Sequence, residues 1–240
     1  MEGPESEATI EIPDSVPVMT LPNTVLFPQA MLPLYIFEQR YRKMLRDVLD
    51  SNRLFAIAGL NQQDIENPAP TEDPREDYYE PPFPVATVGM IRACHENEDG
   101  TSNLILQGLF RVRFEDIISE TPYRRARISP IYSSRQNPDE NLESHRSECL
   151  QMIRKKLSLG GEEDQEAYEF LARIHDPDNF IDLASFSVLG EVDIKQKLLE
   201  TTITEKRFQV FEEWIREDIR KLELYKLLKG DLKDDDILNN

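Results

Sequence analysis

Between residues 103 and 114, apolar residues fall on every second position. Leu104, Leu106, Phe110, Val112 and Phe114 share one series with Gly108, and Gln107, Arg111 and Arg113 lie in the other. Successive side chains of a strand point to opposite sides of a sheet, so this period predicts a strand with even positions inside and odd positions outside. Residues 85–95 form a second strand-like run. Glu96-Asn97-Glu98-Asp99-Gly100-Thr101-Ser102 joins the two, and its Asp-Gly pair suits a turn that needs positive φ. Beyond Asn137-Pro138-Asp139 the period lengthens to three and four and does not return to two. A β part followed by a helical part is the expected organisation.

Within the β part, Val16-Pro17-Val18-Met19-Thr20-Leu21-Pro22 reads as a proline-bounded edge strand. Val25-Leu26-Phe27-Pro28 and Met31-Leu32-Pro33-Leu34-Tyr35-Ile36-Phe37 read as extended, because proline disfavours helix for the residue before it. From Glu38 to Asp50, Tyr41, Met44, Leu45, Val48 and Leu49 recur at helical spacing and leave Arg40, Arg42, Lys43, Arg46 and Asp47 for water, which predicts an amphipathic helix docked on a sheet. Leu54–Leu60 and Tyr123–Tyr132 supply further strands. Residues 62–82, with five prolines and the pair Tyr78 and Tyr79, read as a long loop; such loops are functional or mobile insertions.

The helical part divides at Gly160-Gly161, at His175-Asp176-Pro177 and near Gly190, and its last helix is the longest. Thr202 and Glu205 fit a capping box for that helix, and Phe208, Phe211, Ile215, Ile219, Leu222 and Tyr225 keep a three-four spacing toward Gly230. The expected organisation is a flexible acidic arm over 1–15, a β domain over 16–135, a helical bundle over 136–229 and an acidic disordered tail over 230–240.

Charge narrows the partners. The chain of 240 residues carries a formal net charge of −18, yet residues 83–135 hold seven bases and six acids. A field of that sign repels phosphate backbones, so nucleic-acid binding would need a local basic surface. Arg111, Arg113, Arg124, Arg125 and Arg127 are the candidates, with Arg124, Arg125 and Arg127 the candidate anion-binding set. The competing reading places these arginines on outward strand faces, paired with the acidic C-terminal part. No apolar run reaches the ~20 residues of a membrane span. The start is acidic and lacks a signal peptide's basic and apolar regions. A cytoplasmic protein with reduced thiols at Cys94 and Cys149 is expected.

Motifs for chemistry are missing. None of the nine glycines precedes a lysine, which excludes a phosphate-binding P-loop. His95 begins no H-E-x-x-H, no C-x-x-C occurs, and His145 with Cys149 makes only two ligands of a metal site. There is no G-x-S-x-G elbow. No catalytic residue, cofactor or metal is expected.

Leu21-Pro22-Asn23-Thr24-Val25-Leu26-Phe27-Pro28, followed by Leu32-Pro33-Leu34-Tyr35-Ile36-Phe37-Glu38-Gln39-Arg40-Tyr41, resembles the N-terminal domain of Lon proteases. Val85–Ile91, Leu106–Val112 and Lys195–Glu200 before Arg207 extend the likeness over about residues 16 to 228. The resemblance implies an α+β fold: a PUA-like antiparallel β pseudo-barrel with one docked helix, then an α-helical bundle ending in a long helix. It also implies a stand-alone relative without the ATPase and Ser-Lys peptidase domains, binding unfolded or extended polypeptide or a partner protein. RNA binding is the alternative that PUA-like folds suggest. The expected polypeptide-binding residues are Phe27, Tyr35, Phe37 and Tyr41 beside an open edge, with Tyr78 and Tyr79. Core packing is the competing reading for the first four. Oligomeric state is left open.

Overall fold

A computed structural model describes residues 11–62, 80–137, 141–160 and 165–235. Tyr78 and Tyr79, most of the 62–82 loop, residues 1–10 of the arm and the last five residues lie outside the described residues. Six strands form one sheet: β1 (Ser15–Leu21), β2 (Met31–Ile36), β3 (Leu54–Gly59), β4 (Val85–Glu96), β5 (Ser102–Ser119) and β6 (Arg125–Ile131). Helix α1 (Gln39–Leu49) lies between β2 and β3. The strand order is β2-β5-β4-β3-β1-β6, and β6 also pairs with β5. Five strands therefore close into a barrel, and β2 remains outside as an edge.

β1 is an interior strand, which corrects the edge expected from its prolines. It pairs antiparallel with β6 through Ser15, Val16 and Pro17, and parallel with β3 from Val18 to Leu21. Pro17 stands where one ladder hands over to the other, so its missing N–H interrupts neither. The edge belongs to β2, whose own proline is Pro33.

Between Leu104 and Val112, β5 departs from its simple alternation at one residue. Gly108 pairs with Gly89 and Phe110 with Val88, which leaves Leu109 as a bulge. A bulge shifts the face on which later side chains fall. Leu104 and Leu106 face the core that α1 and the C-terminal helices cover, whereas Val112 faces the barrel interior with Val16, Val18, Ala56, Ala86 and Ala126. Arg111, expected outside, is thereby turned inward and buried. Gly108 is required at the crossing, since a Cβ there would lie 2.1 Å from the Phe27 carbonyl oxygen.

The helical part comprises α2 (Glu143–Gly160), α3 (Gln165–Ala172), α4 (Pro177–Val188), α5 (Val192–Glu200) and α6 (Thr204–Asp235). His175-Asp176-Pro177 starts α4 as much as it ends α3: Asp176 accepts from the Asn179 N–H at 2.8 Å, and Pro177 takes the first helical position. The capping box at Thr202 does not form. α6 begins at Thr204, and Glu205 instead accepts from Arg135 Nε (3.0 Å) and the N–H groups of Gln136 (3.0 Å) and Asn137 (3.2 Å). That carboxylate fastens the β-to-helix linker. Burial raises its pKa, but these hydrogen bonds outweigh burial and hold it at about 2. α6 runs on through Asp235, past the expected start of the tail.

One apolar cluster spans both halves, uniting Phe27, Phe55, Ile57 and Leu106 with Phe180, Phe208 and Phe211. Beside it lies a buried ion cluster. Asp182 Oδ1 accepts from Arg111 Nη2 and Arg207 Nη1, each at 2.5 Å, while Arg111 Nε donates to the Leu199 carbonyl. Arg207 Nη2 reaches Asp178 and the Ser133 hydroxyl.

Candidate functional site

Antiparallel pairing alternates the residues whose N–H and C=O face a partner. Pro33 has no N–H, and Ala30 accepts from Gly108 N–H at 2.9 Å, so the even residues of β2 face β5. The odd residues Met31, Pro33 and Tyr35 then direct their backbone groups toward the open edge. Their side chains stand on the outer face of the sheet, beside Asn103 and Ile105 of β5 and Ala93 and His95 of β4. Pro33, Tyr35, Ala93, His95, Asn103 and Ile105 line a groove of about 400 Å³. At its end the Tyr35 and Phe37 rings stack with centroids 5.9 Å apart and stay 54 % and 60 % exposed. Stacking leaves one broad apolar surface held by two stiff side chains.

The expected binding residues separate. Tyr35 and Phe37 come together at the surface. Phe27 is fully buried, and Tyr41 is buried with its hydroxyl donating to the Thr20 carbonyl at 3.3 Å. Both are withdrawn from a surface site, because the helical spacing that docks α1 points Tyr41 inward and the Gly108 crossing covers Phe27. Burial pushes the Tyr41 phenol up to about 12, against the pull of Arg40 whose guanidinium lies 4.5 Å from the ring centroid. Sequence reasoning missed Met31, Pro33, Ala93 and Ile105. The signal was available at Ile105, an apolar residue between Asn103 and Gln107 in the odd series of β5.

The arginines do not gather into one surface. Arg124 is largely buried and donates to Glu120 (2.9 Å), Thr20 Oγ1 (3.0 Å) and the Glu80 carbonyl (2.5 Å). Arg125 donates to Ser15 Oγ, and exposed Arg127 lies 3.7 Å from Asp116. Among these, only the inward-turned Arg111 pairs with the helical part.

His145 Nδ1 lies 2.8 Å from Glu212 Oε1, and Cys149 Sγ is 4.0 Å from the same oxygen. Burial first, and the Glu212 charge second, push the Cys149 thiol far up, so it stays protonated and a poor nucleophile. Among the described residues no group of three or more His, Cys, Asp and Glu could hold a metal ion. No described helix is long and apolar enough to cross a membrane.

Comparison with known proteins agrees with this architecture. The family model described as the ATP-dependent protease La (LON) substrate-binding domain matches residues 15–217. Lon protease of Dictyoglomus thermophilum is 26 % identical over 235 residues, 98 % of this chain and 28 % of the relative. Lon protease of Flavobacterium johnsoniae is 27 % identical, over 92 % of this chain and 26 % of the relative. The chain thus spans about a quarter of the length of these curated relatives. Among solved structures, the N-terminal domain of Mycobacterium avium complex Lon protease superposes with a TM-score of 0.63 at 17 % identity, covering 84 % of this chain and 98 % of that one. The Lon N-terminal domain protein from Xanthomonas campestris gives 0.60 at 17 % identity, covering 83 % and 98 %.

Proposed function

Because this chain belongs to the Lon substrate-binding domain family, we propose that it is a non-catalytic module for recognising unfolded or extended polypeptide, or a partner protein, in protein quality control. The observation that carries the reading is the stacked Tyr35–Phe37 pair beside the open edge of β2. An extended segment that adds to this edge gains backbone hydrogen bonds at Met31 and Tyr35 and at the Pro33 carbonyl. Pro33 donates nothing, so the added ladder is short, and the same proline discourages edge-to-edge association of copies. Affinity then falls mainly to the aromatic pair and the groove, where apolar side chains at alternate positions of the ligand meet Ile105 and Ala93. Truncating anchors of this kind costs about 2 kcal/mol or more each.

Fluorescence anisotropy with a permanently unfolded, labelled polypeptide tests the reading. Binding is expected to weaken at least tenfold in the Tyr35→Ser/Phe37→Ser double variant, whose exposed positions leave the fold intact. Absence of binding by the intact chain, or equal binding by the folded double variant, would refute it.

A further inference from the structure

A small cavity lies between α1 and the end of the β4–β5 hairpin. Arg42 and Arg46, one turn apart on α1, stand on one wall; Cys94 and Glu96 of β4, with Gly100 and Ser102, stand on the other. The cavity holds about 100 Å³, well below the roughly 300 Å³ at which pockets for organic ligands begin, so it suits a small ion.

Its donors are unanswered. Arg42 Nε is buried and has no acceptor. That nitrogen lies at the cavity wall: Nη2, Cζ and Nε of Arg42 are the three heavy atoms nearest to a Cβ built on Gly100, itself a wall residue. Nε and Nη2 share one hydrogen-bonding edge of the guanidinium, and Nη2 donates only to the Asp99 carbonyl, at 3.3 Å. Arg46 Nε donates to the Arg42 carbonyl at 3.4 Å, which leaves its terminal nitrogens without a described acceptor. Ser102 is 5 % exposed, and its hydroxyl makes no hydrogen bond among the described residues. A buried N–H without an acceptor is costly and calls for one.

One acceptor shares the cavity. Glu96 stands opposite Ser102 in the β4–β5 register, and among the described residues its carboxylate has neither a hydrogen bond nor an ion pair. Burial raises the Cys94 thiol pKa, so the thiol stays protonated and adds no charge. Two arginines against one carboxylate leave the cavity locally positive in a chain of net charge −18. Two guanidinium groups and a carboxylate that line one cavity without pairing leave a place for a group that accepts from the first and donates to the second.

We propose that this cavity binds hydrogen phosphate, an oxyanion that still carries a proton. Its ionised oxygens accept from Arg42 Nε, the Arg46 guanidinium and the Ser102 hydroxyl, while its P–OH donates to Glu96. Sulfate brings no proton and meets the Glu96 carboxylate with a repelling oxygen, so Glu96 sets the specificity. A phosphate monoester, with a second pKa of about 6, is equally without a proton at pH 8. The site lies on the face of the sheet that α1 covers, away from the Tyr35–Phe37 surface, and is independent of polypeptide binding.

The test is an amide NMR titration of the whole chain at pH 8 and constant ionic strength with inorganic phosphate, sulfate or O-phosphoserine. Phosphate is expected to shift the Cys94, Glu96, Gly100 and Ser102 amides and to bind at least tenfold more tightly than the other two. Arg42→Met should weaken phosphate binding at least tenfold. Glu96→Gln, at an exposed position that leaves the fold intact, should erase the discrimination and let sulfate bind as tightly as phosphate, a change that a merely structural role for Glu96 does not produce. Absence of these shifts at millimolar phosphate, equal binding of phosphate and sulfate by the intact chain, or discrimination retained by Glu96→Gln would overturn the proposal. Undiminished phosphate binding by natively folded Arg42→Met would do the same.

Discussion

Replacing Asp182 by alanine removes the one carboxylate that holds two buried arginines. Asp182 Oδ1 lies 2.5 Å from both Arg111 and Arg207, whose side chains are 5 % and 1 % exposed. Two unit charges about 4 Å apart attract by about 4 kcal/mol at an effective dielectric of 20. Stripping one partner from a buried pair costs about 3–5 kcal/mol, because the other charge is left uncompensated. Arg207 retains Asp178, whereas Arg111 retains only the Leu199 carbonyl, and burial already draws the Arg111 pKa down against Asp182. Asp182→Ala is therefore expected to lose about 4 kcal/mol. Arg111→Met/Asp182→Leu, which removes the stranded charge, should recover more than half of that. The assay is urea unfolding followed by far-ultraviolet circular dichroism and by fluorescence of Trp214, the single tryptophan, which sits on α6 and reports the helical half. Both probes should give one coincident transition, because the apolar cluster is shared between the halves. A loss below about 1 kcal/mol in the single variant would refute the reasoning, as would a double variant no more stable than the single.

Glu205 gives a pH signature. Its pKa of about 2 lies below the ordinary 4.5, so its contribution is fully present above pH 4.5 and is lost as pH falls toward 2. Glu205→Gln should lower stability at pH 7 and flatten its fall over that window; parallel stability-versus-pH curves for the two proteins would contradict this. Gly108→Ala should destabilise by about 3 kcal/mol or more, read as a large drop in melting temperature, since the added methyl meets backbone at Phe27 and not a mobile side chain. An unchanged melting temperature would exclude the close approach.

Much of the β part was legible because its signals are local. Period two in β5, helical spacing in α1 and the positive φ of 76° at Gly100 all follow from a few adjacent residues. Partner choice was not. Whether β1 lies at an edge depends on β3 and β6, and nothing within Val16–Pro22 encodes them. The inward turn of Arg111 depends on the bulge at Leu109, which needs the opposing strand to define it. Glu205 misled for a related reason: Thr202-x-x-Glu205 satisfies a local rule, but the carboxylate finds stronger donors in the linker. At the candidate site, Tyr35 and Phe37 were visible as aromatics beside a proline-marked strand, whereas the residues facing them across the sheet came into view only with the register.

Closure of the barrel through β6 sets a timetable for synthesis. Ser15 waits for Arg127 before its ladder exists, and at roughly 5–20 residues per second the ribosome takes about 5–20 s to deliver that partner. Throughout that interval the nascent amino-terminal strand has an unsatisfied flank.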